Sequence, residues 1–313
     1  MSEKSVQFGS KINIYGTLTI PTMTEKKLPA VLIVPGSGPL NRDGNGKRKG
    51  QKLNLYNQLA HFLTEKGFVS LRYDKRGTGQ SEESFIETGF WDLVEDAREA
   101  VDFLKQDQNV DPKKIFVLGH SEGCMLAAEI SKENDLAGLM LVAGAAQSLA
   151  EALVYQREQS IQELKKLKGI KGKLLSLFNV AKKAEKQGQT FDQKVLNSKK
   201  DVIRFQGVKI NAKWFREHFQ TNVYQSLAEV DCPIFAVTGS KDLQATPERV
   251  YEIVKHTNVE TEARIIEGMN HMLREQNEDY GILELKKAYK NVGEKPISKE
   301  LLESLESWLM KHV

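Results

Sequence analysis

The chain has 313 residues, which is enough to bury a large core and to form one domain with an insertion, or two domains at most. Hydrophobic residues make up 40% and charged residues 28%, a composition typical of soluble globular proteins that excludes a chain-wide disordered or fibrous structure. The net charge of +3 is too small to indicate nucleic acid binding.

The N-terminal residues MSEKSVQFGS contain no apolar stretch behind the lysine. No run elsewhere approaches the roughly eighteen apolar residues that a membrane-spanning helix needs. The cysteines are Cys124 and Cys232, and their spacing matches no metal site. We therefore expect a cytoplasmic protein with reduced cysteines, no integral membrane association and no bound metal.

Apolar runs alternate with helical patterns along most of the chain. The first candidate strand, KINIYGTLTIP, alternates apolar and polar residues, which predicts an antiparallel start to a sheet. Five continuous apolar runs predict buried parallel strands: AVLIV at 30–34, FVSLRY at 68–73, KIFVLG at 114–119, LAGLMLVAG at 136–144 and PIFAVTG at 233–239. The segments LYNQLAHFLTEKG and FWDLVEDAREAVDFLKQ have helical periodicity. This order predicts an α/β fold with a doubly wound, mostly parallel sheet.

The alternation stops between residues 147 and 230, where no run is strand-like. Three helical stripes lie there: Leu149, Leu153, Ile161 and Leu164; Leu174, Leu177, Phe178 and Ala181; Trp214, Phe215, His218 and Phe219. We predict an inserted helical cap over 147–230, with 1–146 and 231–313 forming the core. The cap has 16 Lys and Arg against 8 Asp and Glu, a charge of +8 that leaves −5 for the core. Its lysine-rich KKLKGIKGK segment is a candidate hinge.

The segment KIFVLGHSEGCMLAAEIS places a serine between a buried strand and a helix. In a G-x-S-x-G turn of this kind the serine backbone is strained, and glycines such as Gly119 and Gly123 leave room for it. The Ser121 hydroxyl would stand at the carboxyl end of the sheet, above a helix N-terminus that stabilises negative charge. The pattern predicts that Ser121 is a nucleophile; an accidental strand-to-helix turn is the alternative.

A serine nucleophile needs a base, and the base needs an acid that fixes its tautomer. Asp242 follows the PIFAVTG strand, and residues 246–248 predict the start of a helix after it. His271 follows the next strand, in TEARIIEGMNHML, 29 residues past Asp242. Loops after consecutive parallel strands can meet at Ser121. The alternatives are a turn or capping role for Asp242 and a loop hydrogen bond for His271.

The remaining histidines fit the role of a base less well. They lie on predicted helices, in the cap or in the C-terminal tail: His61, His256, His218 and His312. His120 adjoins Ser121 but points away from it on the turn. We predict that His120 is packed or hydrogen-bonded as part of the structure.

An acyl-transfer site also needs donors for the oxyanion of the tetrahedral intermediate. One is expected from the backbone N–H of Glu122, and one from the loop VPGSGPLNRDGNG after the AVLIV strand. Ser37 is the best candidate in this loop, flanked by Gly36 and Gly38, although the glycines can equally be turn residues alone. A phosphate-binding loop is not indicated, because neither G-x-x-x-x-G-K-[ST] nor G-x-G-x-x-G precedes a helix.

Five ordered motifs resemble those of the α/β-hydrolase superfamily and, within it, of the bacterial carboxylesterases that include the EstD-type esterases: GSGPLNRDGNG, RYDKRGTGQSE, GHSEG, TGSKDLQATPE and GMNHML. The resemblance covers nearly the whole chain apart from the cap, and it implies Ser37 as an oxyanion donor. It also implies that one set of residues braces the oxyanion loop or the pocket: Asn41, Arg42 and Asp43. A second set is implied to order the loop beside the Ser121 turn: Asp74, Arg76 and Gly77. Pro35 departs from many relatives, in which a histidine precedes the oxyanion glycine.

Together these features predict a serine hydrolase that cleaves small-molecule carboxylic esters through an acyl-enzyme, without a cofactor. Alternatives are an acyltransferase, thioesterase or amidase on the same fold, and a non-catalytic ligand-binding protein, against which the intact Ser, Asp and His set argues. The basic cap can steer an anionic substrate or a lipid surface, or it can be a solvated lysine-rich face. Acyl-chain length, leaving group and a homo-oligomeric state stay open.

Overall fold

The computed structural model of the protein describes residues 1–22, 26–47, 52–169 and 179–313. The strands within these residues are β1 (Ser2–Phe8), β2 (Ile14–Ile20), β3 (Leu28–Val34), β4 (Val69–Tyr73), β5 (Val110–His120), β6 (Gly138–Val142), β7 (Val202–Phe205), β8 (Val208–Asn211), β9 (Ile234–Gly239) and β10 (Thr261–Ile266). The α-helices are α1 (Leu55–Glu65), α2 (Phe90–Gln106), α3 (Glu122–Ser131), α4 (Leu149–Lys166), α5 (Val180–Leu196), α6 (Ala212–Gln220), α7 (Val223–Ala228), α8 (Leu285–Ala288) and α9 (Lys299–His312). Short 3₁₀ helices cover Phe85–Glu87, Pro247–Lys255, Ile282–Glu284 and Val292–Glu294.

Eight of these strands form one sheet in the order β1-β2-β4-β3-β5-β6-β9-β10. β2 is antiparallel to both β1 and β4, and the other neighbours are parallel. The predicted doubly wound, mostly parallel sheet with an antiparallel start is therefore confirmed. β1 lies outside the prediction, because its sequence SEKSVQF is mostly polar and mostly exposed at the edge of the sheet.

The central strands are continuously apolar because helices cover both faces of the sheet. Successive residues of a strand point to opposite faces, and the two neighbours Leu32 and Ile33 belong to two different cores. Leu32 shares its core with Leu126 of α3. Ile33 shares the other core with Leu59 of α1 and Leu305 of α9. None of the helices in the described parts of the chain combines the length and apolarity that crossing a bilayer requires.

The parallel register aligns the carboxyl ends of the central strands. Val34 at the end of β3 pairs with Gly119 near the end of β5, and Ile266 at the end of β10 pairs with Gly239 at the end of β9. The loops that follow β3, β5, β9 and β10 therefore leave the sheet along one edge. This edge is where ligands bind in open sheets of this type.

The chain between β6 and β9, called the β6–β9 segment below, contains α4, α5, α6, α7 and an antiparallel hairpin of β7 and β8. The expectation that this region has no strand was wrong. β7 and β8 are only four residues each and half-exposed, so their apolar pattern is short. The turn residues Gln206 and Gly207 both have positive φ angles, as a two-residue hairpin turn requires.

The predicted helical stripes have different outcomes. The first lies on α4 and the third on α6, so both are helical as predicted. Of the middle stripe Ala181 lies on α5, whereas Leu174, Leu177 and Phe178 lie outside the described residues. The proposed hinge at 165–173 also lies partly outside them, and the cap boundaries 147–230 stay a prediction. After β9, the helix predicted from residue 246 begins there as a 3₁₀ helix, Pro247–Lys255.

A buried ion pair fixes the loop after β3 to the loop after β4. Asp74, 1% exposed, accepts hydrogen bonds from the Arg42 guanidinium at 2.6 and 3.1 Å and from the Arg42 backbone N–H at 2.7 Å. Arg42 also donates to the carbonyl of Gly16 on β2 at 2.6 Å. These contacts fit the bracing role that the sequence resemblance implies for Arg42 and Asp74.

Asp74→Asn tests the contribution of this pair to stability. The amide keeps the volume but leaves Arg42 without a charged partner, so the free energy of unfolding should fall by about 3–5 kcal/mol. Urea unfolding followed by circular dichroism measures the change. The control is Glu303→Gln, which removes the exposed pair of Lys299 and Glu303 and should leave the midpoint unchanged. Equal midpoints for the two variants would contradict the assignment.

Candidate active site

Ser121 lies on the sharp turn between β5 and α3. Its φ of 56° and ψ of −119° fall in a region that residues with a side chain seldom adopt. A Cβ at Gly119 would overlap the carbonyl of Gly123, and a Cβ at Gly123 would overlap the carbonyl of Val34. The backbone N–H of Ser121 donates a hydrogen bond to the carbonyl oxygen of Val142 at 2.8 Å. The predicted need for glycine at both flanking positions therefore has a steric cause in the structure.

The structure brings Ser121, His271 and Asp242 together at the loop edge of the sheet. His271 Nε2 lies 3.1 Å from Ser121 Oγ, and His271 Nδ1 lies 2.8 and 3.0 Å from the two carboxylate oxygens of Asp242. His271 and Asp242 are 4% and 3% exposed. Because the carboxylate can only accept at Nδ1, the network assigns the ring proton there. The lone pair of Nε2 is then directed at the Ser121 hydroxyl.

The Asp242 carboxylate is held in place by the backbone as well. Its Oδ1 accepts the N–H groups of Gln244 and Ala245 at 2.8 and 2.9 Å. An acceptor that binds two backbone donors and an imidazole cannot rotate freely. The orientation of His271 is therefore set by the loop after β9.

His120 connects the loop after β3 to the loop after β10. The N–H of Gly36 donates to Tyr56 Oη at 2.7 Å, and that hydroxyl lies 3.0 Å from His120 Nδ1. His120 Nε2 lies 3.0 Å from the carbonyl oxygen of His271. Burial, together with the neighbouring His271, lowers the pKa of His120 to about 3, so the ring is neutral and donates to that carbonyl from Nε2. The prediction that His120 is a hydrogen-bonded part of the structure is confirmed.

The loop after β3 lies directly beside Ser121. A Cβ at Gly36 would be 3.1 Å from the Ser121 Cβ. Gly38 has a φ of +94°, which explains a glycine at this turn. Within the described residues, the backbone N–H groups of Ser37 and Glu122 have no hydrogen-bond acceptor. Neither predicted oxyanion donor is therefore hydrogen-bonded to another group in the part of the chain that the structure describes.

Two cavities meet at Ser121 and His271. The first, about 80 Å³, lies beneath α4 and is lined by Gln147, Gln156 and Gln244, among others. The second, about 60 Å³, has a more apolar wall that includes the side chains of Leu40, Leu53 and Met272. Both also include Ser37.

The Glu122 side chain has a role that sequence reasoning did not predict. The residue is 8% exposed, and its carboxylate accepts from Trp214 Nε1 at 2.5 Å and lies 2.8 Å from His218 Nε2. Lys75 Nζ lies 3.4 Å from the other oxygen. Burial by itself would raise the pKa of Glu122, but Lys75, His218 and Trp214 lower it to about 2. Glu122 is therefore a buried carboxylate in the wall of the first cavity.

A sequence signal for this cluster does exist. Charged residues directly after buried strands, such as Lys75 after β4 and Glu122 after the β5 turn, are rarely buried without a partner. The partner His218 could not be found in this way, since it lies 96 positions later on α6. The contact between His218 and Glu122 forms only through tertiary packing.

Metal-binding and disulfide chemistry have no support in the described residues. No group of three or more His, Cys, Asp and Glu side chains there could hold a metal ion. Cys124 and Cys232 are free and buried. Burial raises the pKa of the Cys124 thiol well above its usual range, so it is not a thiolate nucleophile.

Comparison with known proteins identifies relatives along most of the chain. A family model described as "Serine aminopeptidase, S33" (Hydrolase_4) matches residues 47–278. The chain is also 26% identical over 301 residues to Esterase EstD of Thermotoga maritima, a match that covers 95% of this chain and 65% of that esterase. The chain therefore spans just under two thirds of the length of that relative.

Solved structures share the architecture over most or all of the chain. The α/β hydrolase GrgF from Penicillium sp. sh18 has a TM-score of 0.63 at 17% identity, covering 100% of this chain and 99% of GrgF. Est1E from Butyrivibrio proteoclasticus, solved with ferulic acid bound, has a TM-score of 0.58 at 17% identity, covering 91% and 96%. The α/β-hydrolase fold that the motifs predicted is thus confirmed. With the family match over residues 47–278, the chain belongs to the serine aminopeptidase S33 family of α/β hydrolases.

Proposed function

We propose that the protein is a carboxylic ester hydrolase with Ser121 as nucleophile, His271 as general base and Asp242 as the group that orients it. The observation that carries this proposal is the continuous hydrogen-bonded line from Asp242 through His271 to Ser121 Oγ, with contacts of 2.8 and 3.1 Å. Such a line is needed because a hydroxyl is a poor nucleophile at neutral pH. A structural histidine would not require both contacts.

The reaction proceeds in two halves. As Ser121 Oγ attacks the ester carbonyl, its proton passes to His271 Nε2, and the N–H groups of Ser37 and Glu122 stabilise the oxyanion. The same proton then goes to the alcohol oxygen as the C–O bond breaks, leaving an acyl-enzyme. A water molecule attacks this acyl group with His271 again as base, which releases the acid and restores Ser121.

An ester fits the cavities better than a peptide with a free amino terminus. An aminopeptidase has to bind the substrate's ammonium group, which calls for an unpaired carboxylate near the nucleophile. Glu122 is the acidic side chain among the described residues that line the two cavities, and it is already paired with Lys75 and hydrogen-bonded by Trp214. The 26% identity with Esterase EstD supports the same choice.

Acyl transfer and thioester cleavage stay alternatives. An added acceptor alcohol that diverts product from the free acid distinguishes acyl transfer from hydrolysis.

Ser121→Ala tests the nucleophile. It removes the attacking oxygen, so covalent labelling by a fluorophosphonate should disappear and kcat should fall by about 10⁴–10⁶-fold. Labelling is read by mass spectrometry of the intact protein. Ser148→Ala is the matched control, because that serine lines the same cavity but caps α4; it should remain labelled. Persistent labelling of Ser121→Ala would exclude Ser121.

Asp242→Asn tests the orientation of the base. The amide can donate to His271 Nδ1, which moves the ring proton to Nε2 and directs a donor at Ser121 in place of a lone pair. We expect kcat to fall by about 10⁴-fold, with little change in thermal stability because the Asn carbonyl oxygen can still accept from Gln244 and Ala245. Steady-state kinetics and a thermal melt measure the two effects. A variant with wild-type kcat would show that Asp242 is only a turn residue.

A series of p-nitrophenyl esters from acetate to palmitate tests the substrate size. The cavities of about 80 and 60 Å³ are small beside the roughly 300–1,000 Å³ of a typical ligand pocket, so we expect them to enclose a short acyl chain better than a long one. We expect kcat/KM for acetate and butyrate to exceed that for palmitate by at least about 10-fold, because a long chain would leave apolar surface in water. Equal values along the series would mean that these cavities do not bind the acyl group.

A further inference from the structure

Lys75 is a buried cation that the proposed reaction does not use directly. It follows β4 and is 1% exposed. Its ammonium donates to the carbonyl of Gly36 at 2.7 Å and lies 3.4 Å from Glu122 Oε2. Burial lowers the pKa of Lys75, and Glu122 opposes that shift. A buried charge is costly, so its position beside the Gly36 carbonyl calls for an explanation.

The contact with Gly36 determines where the next N–H points. The carbonyl of Gly36 and the N–H of Ser37 belong to one planar peptide unit, and this peptide is trans, so the two groups point in opposite directions. The N–H of Gly36 is held separately by Tyr56 Oη at 2.7 Å. With both polar groups of Gly36 fixed, the Ser37 peptide cannot rotate without breaking a buried hydrogen bond.

The charge of Lys75 acts on the same peptide. An ammonium at a carbonyl oxygen polarises the amide and strengthens its N–H as a donor, because hydrogen bonds in a chain reinforce one another in a low-dielectric site. The N–H of Ser37 has no acceptor among the described residues. It is therefore free to donate to an oxyanion that forms on a substrate.

Glu122 joins the second donor to the same ion pair. Its N–H is the other proposed oxyanion donor, while its carboxylate neutralises Lys75. Two groups of α6 complete the coordination of that carboxylate, Trp214 Nε1 and His218 Nε2. One buried ion pair thus spans both halves of the proposed oxyanion hole and connects them to the β6–β9 segment.

We propose that Lys75 is a positioning residue of the oxyanion hole, which aims and polarises the Ser37 N–H through the Gly36 carbonyl, with Glu122 as its counter-ion. This inference rests on the proposed function, since it takes the Ser37 and Glu122 N–H groups as the oxyanion donors. It goes further in assigning a rate effect to a side chain that touches neither substrate nor Ser121.

The test compares Lys75→Met with the double variant Lys75→Met/Glu122→Gln. Methionine keeps the length of the side chain but has no N–H donor and no charge. The double variant also removes the carboxylate that the single variant leaves without its cation, so it protects against a failure to fold. The control is Glu129→Gln, which changes a buried carboxylate on the same helix that is bonded to Ser226 and Lys132, away from the loop after β3.

Three quantities are measured on folded protein: kcat and KM for p-nitrophenyl butyrate, and the inhibition constant of a trifluoromethyl ketone. That ketone adds to Ser121 and forms a tetrahedral oxyanion. We expect both Lys75 variants to lose about 10–100-fold in kcat, somewhat less than removal of a donor costs, with KM within about 2-fold. Inhibition by the ketone should weaken by the same factor as kcat, since both depend on the oxyanion donors. Glu129→Gln should lower stability while leaving kcat and the inhibition constant unchanged.

Two outcomes would overturn the inference. One is wild-type kcat and ketone inhibition in a folded Lys75 variant, and the other is a loss that Glu129→Gln reproduces. Failure of the proposed function gives a different result, because the wild-type protein would then neither hydrolyse the butyrate ester nor react with a fluorophosphonate. A wild-type enzyme that is labelled and active, with unaffected Lys75 variants, would reject only the role of Lys75.

Discussion

The parallel register of β3, β5, β9 and β10 determines where Ser121, Asp242 and His271 lie. β3, β9 and the second half of β5 are buried on both faces, so a slip of one residue would turn their apolar side chains to the wrong core and shift the loops by about 3.3 Å. The pairing of Val34 with Gly119 and of Gly239 with Ile266 aligns the carboxyl ends of the four strands, where their loops begin. Ser121, Asp242 and His271 come from three of these loops, and hydrogen bonds of about 3 Å between them tolerate no such shift.

The loop after β4 adds a second constraint, because its first three residues are all charged and all buried. Asp74 binds Arg42 in the loop after β3, Lys75 binds the Gly36 carbonyl, and Arg76 forms an ion pair with Asp96 of α2 at 2.7 Å. The three counter-charges lie on three different elements: Arg42 in the loop after β3, Glu122 at the start of α3 and Asp96 on α2. This short loop is therefore tied to each of them. Burial of ion pairs seldom stabilises a fold by itself; here it restricts the backbone next to Ser121.

The features that depend on a local sequence pattern could be predicted from the sequence. Continuous apolar runs predicted β3 to β6 and β9, and the turn and loop motifs placed Ser121, Asp242 and His271 at strand ends, where they lie in the structure; their catalytic roles stay predictions. The weakly apolar strands β1, β7 and β8 could not be predicted from the sequence, because a mostly polar or four-residue strand has no distinctive periodicity. The contact of Glu122 with His218 depends on how α6 packs, which local sequence does not encode.

The bond between Glu122 and α6 also affects how this protein can be recombined with its relatives. The carboxylate of Glu122, the residue after Ser121, accepts hydrogen bonds from Trp214 and His218, which lie on the β6–β9 segment. Its counter-ion Lys75 lies in the loop after β4. A chimera that takes this segment from another hydrolase would leave a buried carboxylate without its donors, unless the donor segment supplies an equivalent pair or position 122 is exchanged with it. Glu122, Trp214 and His218 therefore have to be exchanged together, even though β6, α4, α5, β7 and β8 lie between them along the chain.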